Sequence, residues 1–224
     1  MADEMAAKAA DRYRGLARFY DVLSAEYPVY RAGRRLGIDA LGLRTGQRVL
    51  DVGCGTGLNF SLLQDRIGPA GTIIGIDRSA AMLEQARHRA AAHGWANIIL
   101  IQSDLLTLDP GAVRTVIAGS GGAGTAQAAL ATYSLSLIPD RHAAWNSMVS
   151  MLEDGARVSV VDMQDPLGAA RWLTPLARFA CRLGGSDITA HPWNLVEEYC
   201  TGVVSISTRA GHIQVRAGTL RPGS

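Results

Sequence analysis

Three glycines occur at alternate positions directly after an apolar run in the first third of the chain. The run ends at Val52, and Gly53, Gly55 and Gly57 follow it before a segment with helical spacing. Glycine is needed where a ligand lies against the backbone, because a Cβ there would collide with it. Ligands of open α/β sheets bind beyond the carboxyl ends of the strands. The pattern therefore predicts a small-molecule site at the end of this strand.

Three carboxylates stand at the ends of successive apolar runs. Asp51 precedes the glycines, Asp77 ends the second run, and Asp104 follows the third. Asp51 would repel a pyrophosphate but can pair with an ammonium group. Asp77 can accept hydrogen bonds from both hydroxyls of a ribose, and Asp104 can accept one from an adenine amino group. Singly, each acid is better explained as a helix cap or a solvated loop residue, but together they predict a nucleoside that carries an amino acid and no phosphates.

The glycine spacing differs from the dinucleotide fingerprint G-x-G-x-x-G. The third glycine of that fingerprint permits close helix–strand packing, and here Leu58 or Phe60 takes its position. The sequence also lacks the Walker pattern of nucleoside triphosphate sites. A nicotinamide-dependent oxidoreductase remains the main alternative enzyme, and a non-catalytic cofactor-binding partner subunit is an alternative of a different class.

Short apolar runs alternate with segments of helical spacing, which predicts a parallel sheet covered on both faces. Ser79 is a suitable N-cap for the helical segment 79–93, and a second segment, 140–152, follows Pro139. Two alternating runs joined around Ala210 and Gly211 predict an antiparallel hairpin at the end of the chain. We therefore expect an α/β fold with a doubly wound, seven-stranded, mostly parallel sheet and an antiparallel C-terminal hairpin. The seven runs are 47–52, 72–77, 97–102, 128–132, 157–162, 203–207 and 212–216.

The composition fits one globular domain, because 48% of the 224 residues are hydrophobic and 19% are charged. The net charge of +2 and the lack of a strong basic patch argue against a nucleic-acid substrate. Cys54, Cys181 and Cys200 are far apart and form no CxxC, so we expect neither a disulfide framework nor a metal site. A reducing, cytoplasmic compartment fits this use of cysteine, and no window is long and apolar enough to span a bilayer.

The motifs VLDVGCGTG, GIDRS and SDLLTL resemble those of the class I S-adenosylmethionine-dependent methyltransferases over residues 45–165. The resemblance implies a Rossmann-like fold, S-adenosylmethionine as the cofactor and direct methyl transfer. It places the glycines along the methionine and ribose, Asp51 near the amino group and Met82 on the adenine face. The complete set of cofactor-binding residues expected on this basis is Tyr13, Tyr20, Asp51, Gly53, Cys54, Gly55, Thr56, Gly57, Asn59, Asp77, Arg78, Met82, Ser103, Asp104, Leu105 and Thr132.

The segments RFYD, from Arg18, and GTGLNF, from Gly55, are similar to one branch of this superfamily. That branch contains bacterial quinone-biosynthesis methyltransferases and phospholipid N-methyltransferases. The resemblance implies a small acceptor that is hydrophobic or lipid-like. One departure is at the start of the fourth strand, where an acidic residue is usual and Gln127 stands beside an added glycine loop.

Four residues are candidates for a general base. The methyl group of a sulfonium is already activated, so alignment supplies most of the acceleration, although an acceptor that must lose a proton benefits from a base. Tyr133 follows the fourth run and Asp162 ends the fifth, where each can face the acceptor. Tyr20 precedes the domain, and His191 lies in the segment 166–200. Each of the four is also consistent with a purely structural role.

An apolar stripe at helical spacing predicts a helix near the N-terminus. We expect it to lie over the site as a lid, with Tyr13 or Tyr20 reaching the cofactor. The basic residues around it leave contact with an anionic membrane surface as an alternative, so the expected location is cytoplasmic, with peripheral contact at the inner membrane face left open. The chain is accordingly divided into a helical lid, 1–44, and a cofactor-binding domain, 45–224, with a helical cap at 166–200. The stripe comprises Ala9, Tyr13, Leu16, Tyr20 and Leu23.

Overall fold

The computed structural model describes residues 30–119, 121, 124–166, 168, 174 and 187–223. In this part of the chain seven strands alternate with six α-helices and one 3-10 turn, Leu135–Leu137. The strands are β1 (Arg48–Val52), β2 (Thr72–Asp77), β3 (Ile98–Gln102), β4 (Ala126–Thr132), β5 (Leu152–Met163), β6 (Cys200–Thr208) and β7 (Ile213–Leu220). The helices are α1 (Arg31–Ala40), α2 (Phe60–Ile67), α3 (Ala80–Ala92), α4 (Pro110–Gly119), α5 (Arg141–Val149) and α6 (Asn194–Tyr199).

The seven strands form one sheet in the order β3-β2-β1-β4-β5-β7-β6. The first five strands in this order are parallel, and β7 runs antiparallel to both β5 and β6. The predicted fold class is therefore confirmed. Because β1 pairs with both β2 and β4, the strand order reverses at its carboxyl end, which is where open α/β sheets bind ligands.

The predicted helix starts are confirmed by their caps. The Ser79 side chain accepts a hydrogen bond from the Met82 backbone N–H at the start of α3. Asp140 accepts one from the Ala143 N–H at the start of α5. The prediction extended α5 too far, because the helix ends at Val149 and Leu152 already pairs with β4 as the first residue of β5.

Gln127 explains the unusual start of the fourth strand. Its side-chain oxygen accepts from the Arg48 N–H at 2.8 Å, and its amide nitrogen donates to Glu153 Oε2 at 3.1 Å. The pairing of β4 with β5 shifts register between Ala126 and Ala128, on either side of this residue. The amide thus bridges the two neighbouring strands where the β4–β5 ladder is irregular.

Parts of the predicted lid and cap are outside the described residues. These include 1–29, with Tyr13 and Tyr20, and most of 167–186. Of the predicted cap 166–200, the structure describes α6 as helical, and Cys200 already begins β6. The division into a lid and a capped domain stays a prediction. Among the described residues, no helix has the length and apolarity that a membrane crossing needs.

Helix α1 packs closely on the sheet because two of its residues are glycines. A Cβ at Gly33 would overlap the Tyr133 hydroxyl, and one at Gly37 would overlap the Val161 side chain. Ile38 on the same helix is buried in a cluster that includes core residues of β1 and β4. This approach brings the first turns of α1 to the carboxyl end of β4.

We predict that Gly37→Ala destabilises the protein by about 1–3 kcal/mol, as expected when a well-packed contact is overfilled. The loss should outweigh the gain of about 1 kcal/mol in helix propensity. Urea unfolding measures the difference. Gly119→Ala is the matched control, since in the part of the chain that the structure describes no atom lies within 4 Å of the added Cβ at that helical glycine. A Gly37→Ala variant as stable as the Gly119→Ala variant would contradict this account of the α1 contact.

Candidate functional site

An open cavity lies at the carboxyl ends of β1, β2, β3 and β4. Its empty space, with the solvent at the open mouth included, is about 1080 Å³. The predicted cofactor-binding and catalytic residues that line this cavity number twelve: Gly53, Cys54, Gly55, Thr56, Asp77, Arg78, Met82, Ser103, Asp104, Leu105, Thr132 and Tyr133. The parallel strands bring these residues together because their carboxyl ends meet at one edge of the sheet.

The three glycines of the turn after β1 are required for different structural reasons. All have positive φ, 66° at Gly53, 55° at Gly55 and 78° at Gly57. A Cβ at Gly53 would overlap Ser134, and one at Gly57 would overlap the Phe60 ring. The prediction that a ligand lies against these glycines stays a prediction; Gly53 lines the cavity and Gly57 does not. At Gly55, which lines the cavity, no atom of the described residues lies within 4 Å of an added Cβ.

Asp77 is a fixed carboxylate at the end of β2. Its Oδ2 accepts from the Gly55 N–H at 2.8 Å, and its Oδ1 accepts from the Ser79 N–H at 2.9 Å. Burial raises the pKa of Asp77, while these two bonds and the charge of Arg78 oppose the rise. Each carboxylate oxygen can accept more than one hydrogen bond. Asp77 can therefore hold the glycine turn and still accept from a ligand.

The cavity wall on the β3 side consists of apolar side chains and one carboxylate. Met82 and Leu105 are buried side chains of the cavity wall. Asp104 lines the same side, and its Oδ1 accepts from the Leu106 N–H at 2.9 Å. A flat aromatic group with a hydrogen-bond donor fits such a wall.

Asp51 is fully buried and lies behind the cavity wall. Its Oδ1 accepts from Asn59 Nδ2 at 2.8 Å, and its Oδ2 has no hydrogen-bond partner among the described residues. Burial raises the pKa of Asp51 to about 7, against the Asn59 hydrogen bond and the charge of Arg34. Asp51 and Asn59 are both buried and neither lines the cavity, and their expected part in binding the cofactor stays a prediction.

Arg34 of α1 was missed by the sequence analysis and lines the cavity. Its Nη1 donates to Thr132 Oγ1 at 2.7 Å and to Asn59 Oδ1 at 3.2 Å, and its guanidinium carbon lies 5.2 Å from the centre of the Tyr133 ring. Nothing in the sequence distinguishes Arg34 from its exposed neighbours Arg31 and Arg35. The apolar wall after β4 was also missed; it comprises Leu137, Ile138 and Pro139.

Tyr133 lines the cavity but uses its hydroxyl inside the protein. The hydroxyl donates to the Tyr30 carbonyl oxygen at 3.0 Å, and the two rings meet edge to face with centroids 4.9 Å apart. Its φ of 57° is rare for a non-glycine residue, and such strain often occurs at functional sites. Tyr133 therefore links α1 to the end of β4.

The other candidate bases lie away from the cavity or outside the described residues. Asp162 is fully buried and accepts from Ser136 Oγ and the Met163 N–H, both at 2.9 Å, and from the Ser136 N–H at 3.3 Å. Burial raises its pKa to about 6. The expectation that Asp162 faces the acceptor is corrected, because it fastens the 3-10 turn. His191 stacks on Trp193 with centroids 4.9 Å apart and does not line the cavity; Tyr20 is outside the described residues.

Comparison with known proteins identifies the family. A family model described as a methyltransferase domain matches residues 43–196. The chain belongs to this methyltransferase family. The match confirms the resemblance to the class I S-adenosylmethionine-dependent methyltransferases and favours it over the nicotinamide-dependent alternative.

Individual relatives agree with this family. The chain is 31% identical to aklanonic acid methyltransferase DauC of Streptomyces sp. (strain C5) over 70% of this chain and 65% of that protein. It is 27% identical to the ubiquinone/menaquinone biosynthesis C-methyltransferase UbiE of Idiomarina loihiensis over 71% of this chain and 61% of that protein. The matched part of this chain thus spans less than two thirds of the length of each of these two relatives.

The fold also matches that of a solved methyltransferase. A structure from Aquifex aeolicus, described as a SAM-dependent methyltransferase, superposes with a TM-score of 0.61 at 13% identity. The match covers 89% of this chain and 97% of that one. At this identity the likeness establishes the fold alone.

We predict that Gly53→Ala destabilises the protein more than Gly55→Ala does. Both variants place a side chain at positive φ, at a cost of about 1–2 kcal/mol. Only the added Cβ of Gly53→Ala also overlaps Ser134. Thermal or urea unfolding measures the difference. The penalty of Gly53→Ala should shrink in a Ser134→Gly background, by double-mutant-cycle logic; an unchanged penalty would show that Ser134 is not the obstacle.

We predict that wild-type stability falls relative to that of Asp162→Asn as the pH rises from about 4 to about 6. In the folded protein burial raises the pKa of Asp162 to about 6, whereas the ordinary pKa of this side chain is 3.8. The contribution of Asp162 to stability is therefore fully present below the unfolded pKa and is lost as the pH rises through the folded pKa. Urea unfolding of both proteins at several pH values measures the trend. A constant difference over this range would contradict the raised pKa.

Proposed function

We propose that the chain is an S-adenosylmethionine-dependent methyltransferase that acts by direct transfer on a small, hydrophobic or lipid-like acceptor. The observation that carries the proposal is the Gly55–Asp77 pair, in which an open backbone turn and a fixed carboxylate meet inside one cavity. Family membership supports the same reading.

The residues of the cavity fit a nucleoside that carries an amino acid. Across the sheet the order β3, β2, β1, β4 presents Asp104, then Asp77, then the glycine turn, then Thr132. This sequence of groups suits adenine, ribose and an amino-acid chain in that order. The space that a Cβ at Gly55 would fill is a cradle next to the ribose position.

The cofactor supplies a methyl group that is already activated by a sulfonium. The chain's own residues bind and orient the reactants and keep water out, which is where proximity and alignment contribute most. Tyr133 and Asp162 use their polar atoms in bonds to Tyr30, Ser136 and Met163. They support the walls of the site, and we therefore assign alignment a larger share of catalysis than proton transfer.

The hydrophobic acceptor is supported by the relatives and by the cavity rim. The names of the relatives refer to aklanonic acid and to ubiquinone and menaquinone biosynthesis. Leu106, which lines the cavity, is 41% exposed. We propose that the segments 1–44 and 166–200 complete the acceptor side, and that a membrane supplies the acceptor if it is a lipid.

We predict that S-adenosylhomocysteine binds the protein and that Asp77→Ala weakens its binding about 100-fold or more. The variant loses hydrogen bonds to a charged group, each worth about 1.5–3 kcal/mol, and 1.4 kcal/mol corresponds to tenfold in affinity. Isothermal titration calorimetry measures both constants.

Asp109→Ala is the matched control, since Asp109 is an exposed aspartate that caps a backbone N–H outside the cavity. Its affinity should equal that of the wild type. A titration with NADH runs in parallel. Binding of NADH in place of S-adenosylhomocysteine would overturn the proposed function, and cofactor binding without turnover on quinols or aminophospholipids would favour a non-catalytic subunit.

A further inference from the structure

We propose that Arg89 of α3 is a positioning residue for the turn after β1, which it holds in the shape that lines the cavity. Its side chain donates from Nε to the Thr56 carbonyl oxygen at 2.9 Å. Thr56 itself lines the cavity, whereas Arg89 does not. The inference rests on the proposed function for its effect on cofactor affinity, while its effect on the turn is present without a ligand.

The turn is closed by its own backbone and is also held by Asp77. The Gly57 N–H donates to the Cys54 carbonyl oxygen at 3.0 Å, which closes a four-residue turn. Gly55, the second residue of this turn, has a φ of 55° and donates its N–H to Asp77 Oδ2 at 2.8 Å. Neither of these two bonds involves the carbonyl group of Thr56, the third residue of the turn.

Arg89 orients this carbonyl group with a charged donor. Thr56 is only 3% exposed, and the carbonyl group of a buried residue needs a hydrogen-bond partner inside the protein. A bond from a guanidinium is charge-assisted and is therefore stronger than a bond between neutral groups. The peptide between Thr56 and Gly57 is thus held at both ends, by Arg89 at its carbonyl oxygen and by Cys54 at its N–H.

Helix α3 brings Arg89 to the turn because the helix packs on the same apolar cluster as the turn. Leu83 and Ala86 of α3 are buried in the cluster that also contains Cys54. Arg89 follows Ala86 by three residues and therefore lies on the same face of the helix, in its last turn. Asp77, just before α3, and Arg89, near its end, thus hold neighbouring residues of one turn.

The test compares two variants that differ in one donor. Arg89→Gln keeps an N–H donor at the position of Nε, whereas Arg89→Met places a methyl group there. Arg87→Met is the control on the same helix, since the Arg87 side chain is 59% exposed and pairs with Glu84. Isothermal titration with S-adenosylhomocysteine measures affinity, and hydrogen exchange of the ligand-free protein measures opening of the turn. Thermal melting confirms that each variant is folded.

We expect Arg89→Met to bind S-adenosylhomocysteine about 10-fold more weakly than the wild type, as the loss of one hydrogen bond from a charged group predicts. In the same variant the Gly55 and Gly57 N–H groups should exchange about 10-fold faster, while exchange in β4 and β5 stays unchanged. Arg89→Gln should recover most of both losses, and Arg87→Met should behave as the wild type.

Wild-type affinity together with wild-type exchange in Arg89→Met would overturn the proposal. Faster exchange throughout the protein would overturn it as well, because Arg89 would then stabilise the fold as a whole. An Arg89→Gln variant as weak as Arg89→Met would show that the Nε bond is not responsible. If the wild type does not bind S-adenosylhomocysteine, the proposed function fails, and exchange in the turn still tests the role of Arg89.

Discussion

The carboxylate of Asp51 is fully buried at the strand where the sheet reverses its order, and the groups around it must offset its desolvation. Asn59 at the start of α2 donates to it, and Arg34 on α1 supplies a positive charge through Asn59. A buried charge that loses its partners is strongly destabilising. The position of α1 and α2 relative to β1 is therefore tied to one side chain, and Thr132 connects β4 to the same network.

This network requires that α1 come close to the sheet. The two glycines of α1 that face Tyr133 and Val161 permit this approach, and the Tyr133 hydroxyl then reaches the Tyr30 carbonyl. The loop after β4 is fastened in a comparable way on both sides. Ser134 Oγ donates to the Val52 carbonyl at 2.7 Å, and Ser136 donates to Asp162. The wall of the cavity beyond this loop is thus positioned by buried hydrogen bonds before any ligand binds.

Local patterns sufficed to predict the strands, the Ser79 helix cap and the cavity residues at the strand ends. Runs of apolar residues define buried parallel strands, and the ends of such strands meet at one edge whatever the details of packing. Asp77 and Gly55 were placed correctly in the cavity for that reason. Arg34 was not predicted, because its direction depends on how α1 crosses the sheet. Asp162 was misplaced, since one residue along a strand reverses the face of a side chain.

The glycine turn after β1 also shows that a local sequence pattern does not predict contacts with distant parts of the chain. The need for positive φ at Gly53 and Gly57 is local, but the atoms that exclude a Cβ there belong to Ser134 and Phe60. Phe60 is close in sequence, whereas Ser134 arrives from the loop after β4. A motif can therefore identify the turn, whereas the atoms that exclude a Cβ at Gly53 come from a distant part of the chain.

The hydrogen bonds around Asp51 also couple its protonation to the charge of whatever occupies the cavity. Burial holds its pKa near 7, and Arg34 lowers it. An anion bound next to Arg34 offsets that positive charge and favours proton uptake by Asp51, whereas a nearby ammonium group favours proton release. A zwitterionic amino-acid group applies both effects at once, so the proton change on binding reports the balance of the two charges at this end of the cavity. Because Asp51 itself is outside the cavity surface, this coupling is electrostatic and depends on where Arg34 and the bound charges lie relative to its carboxylate.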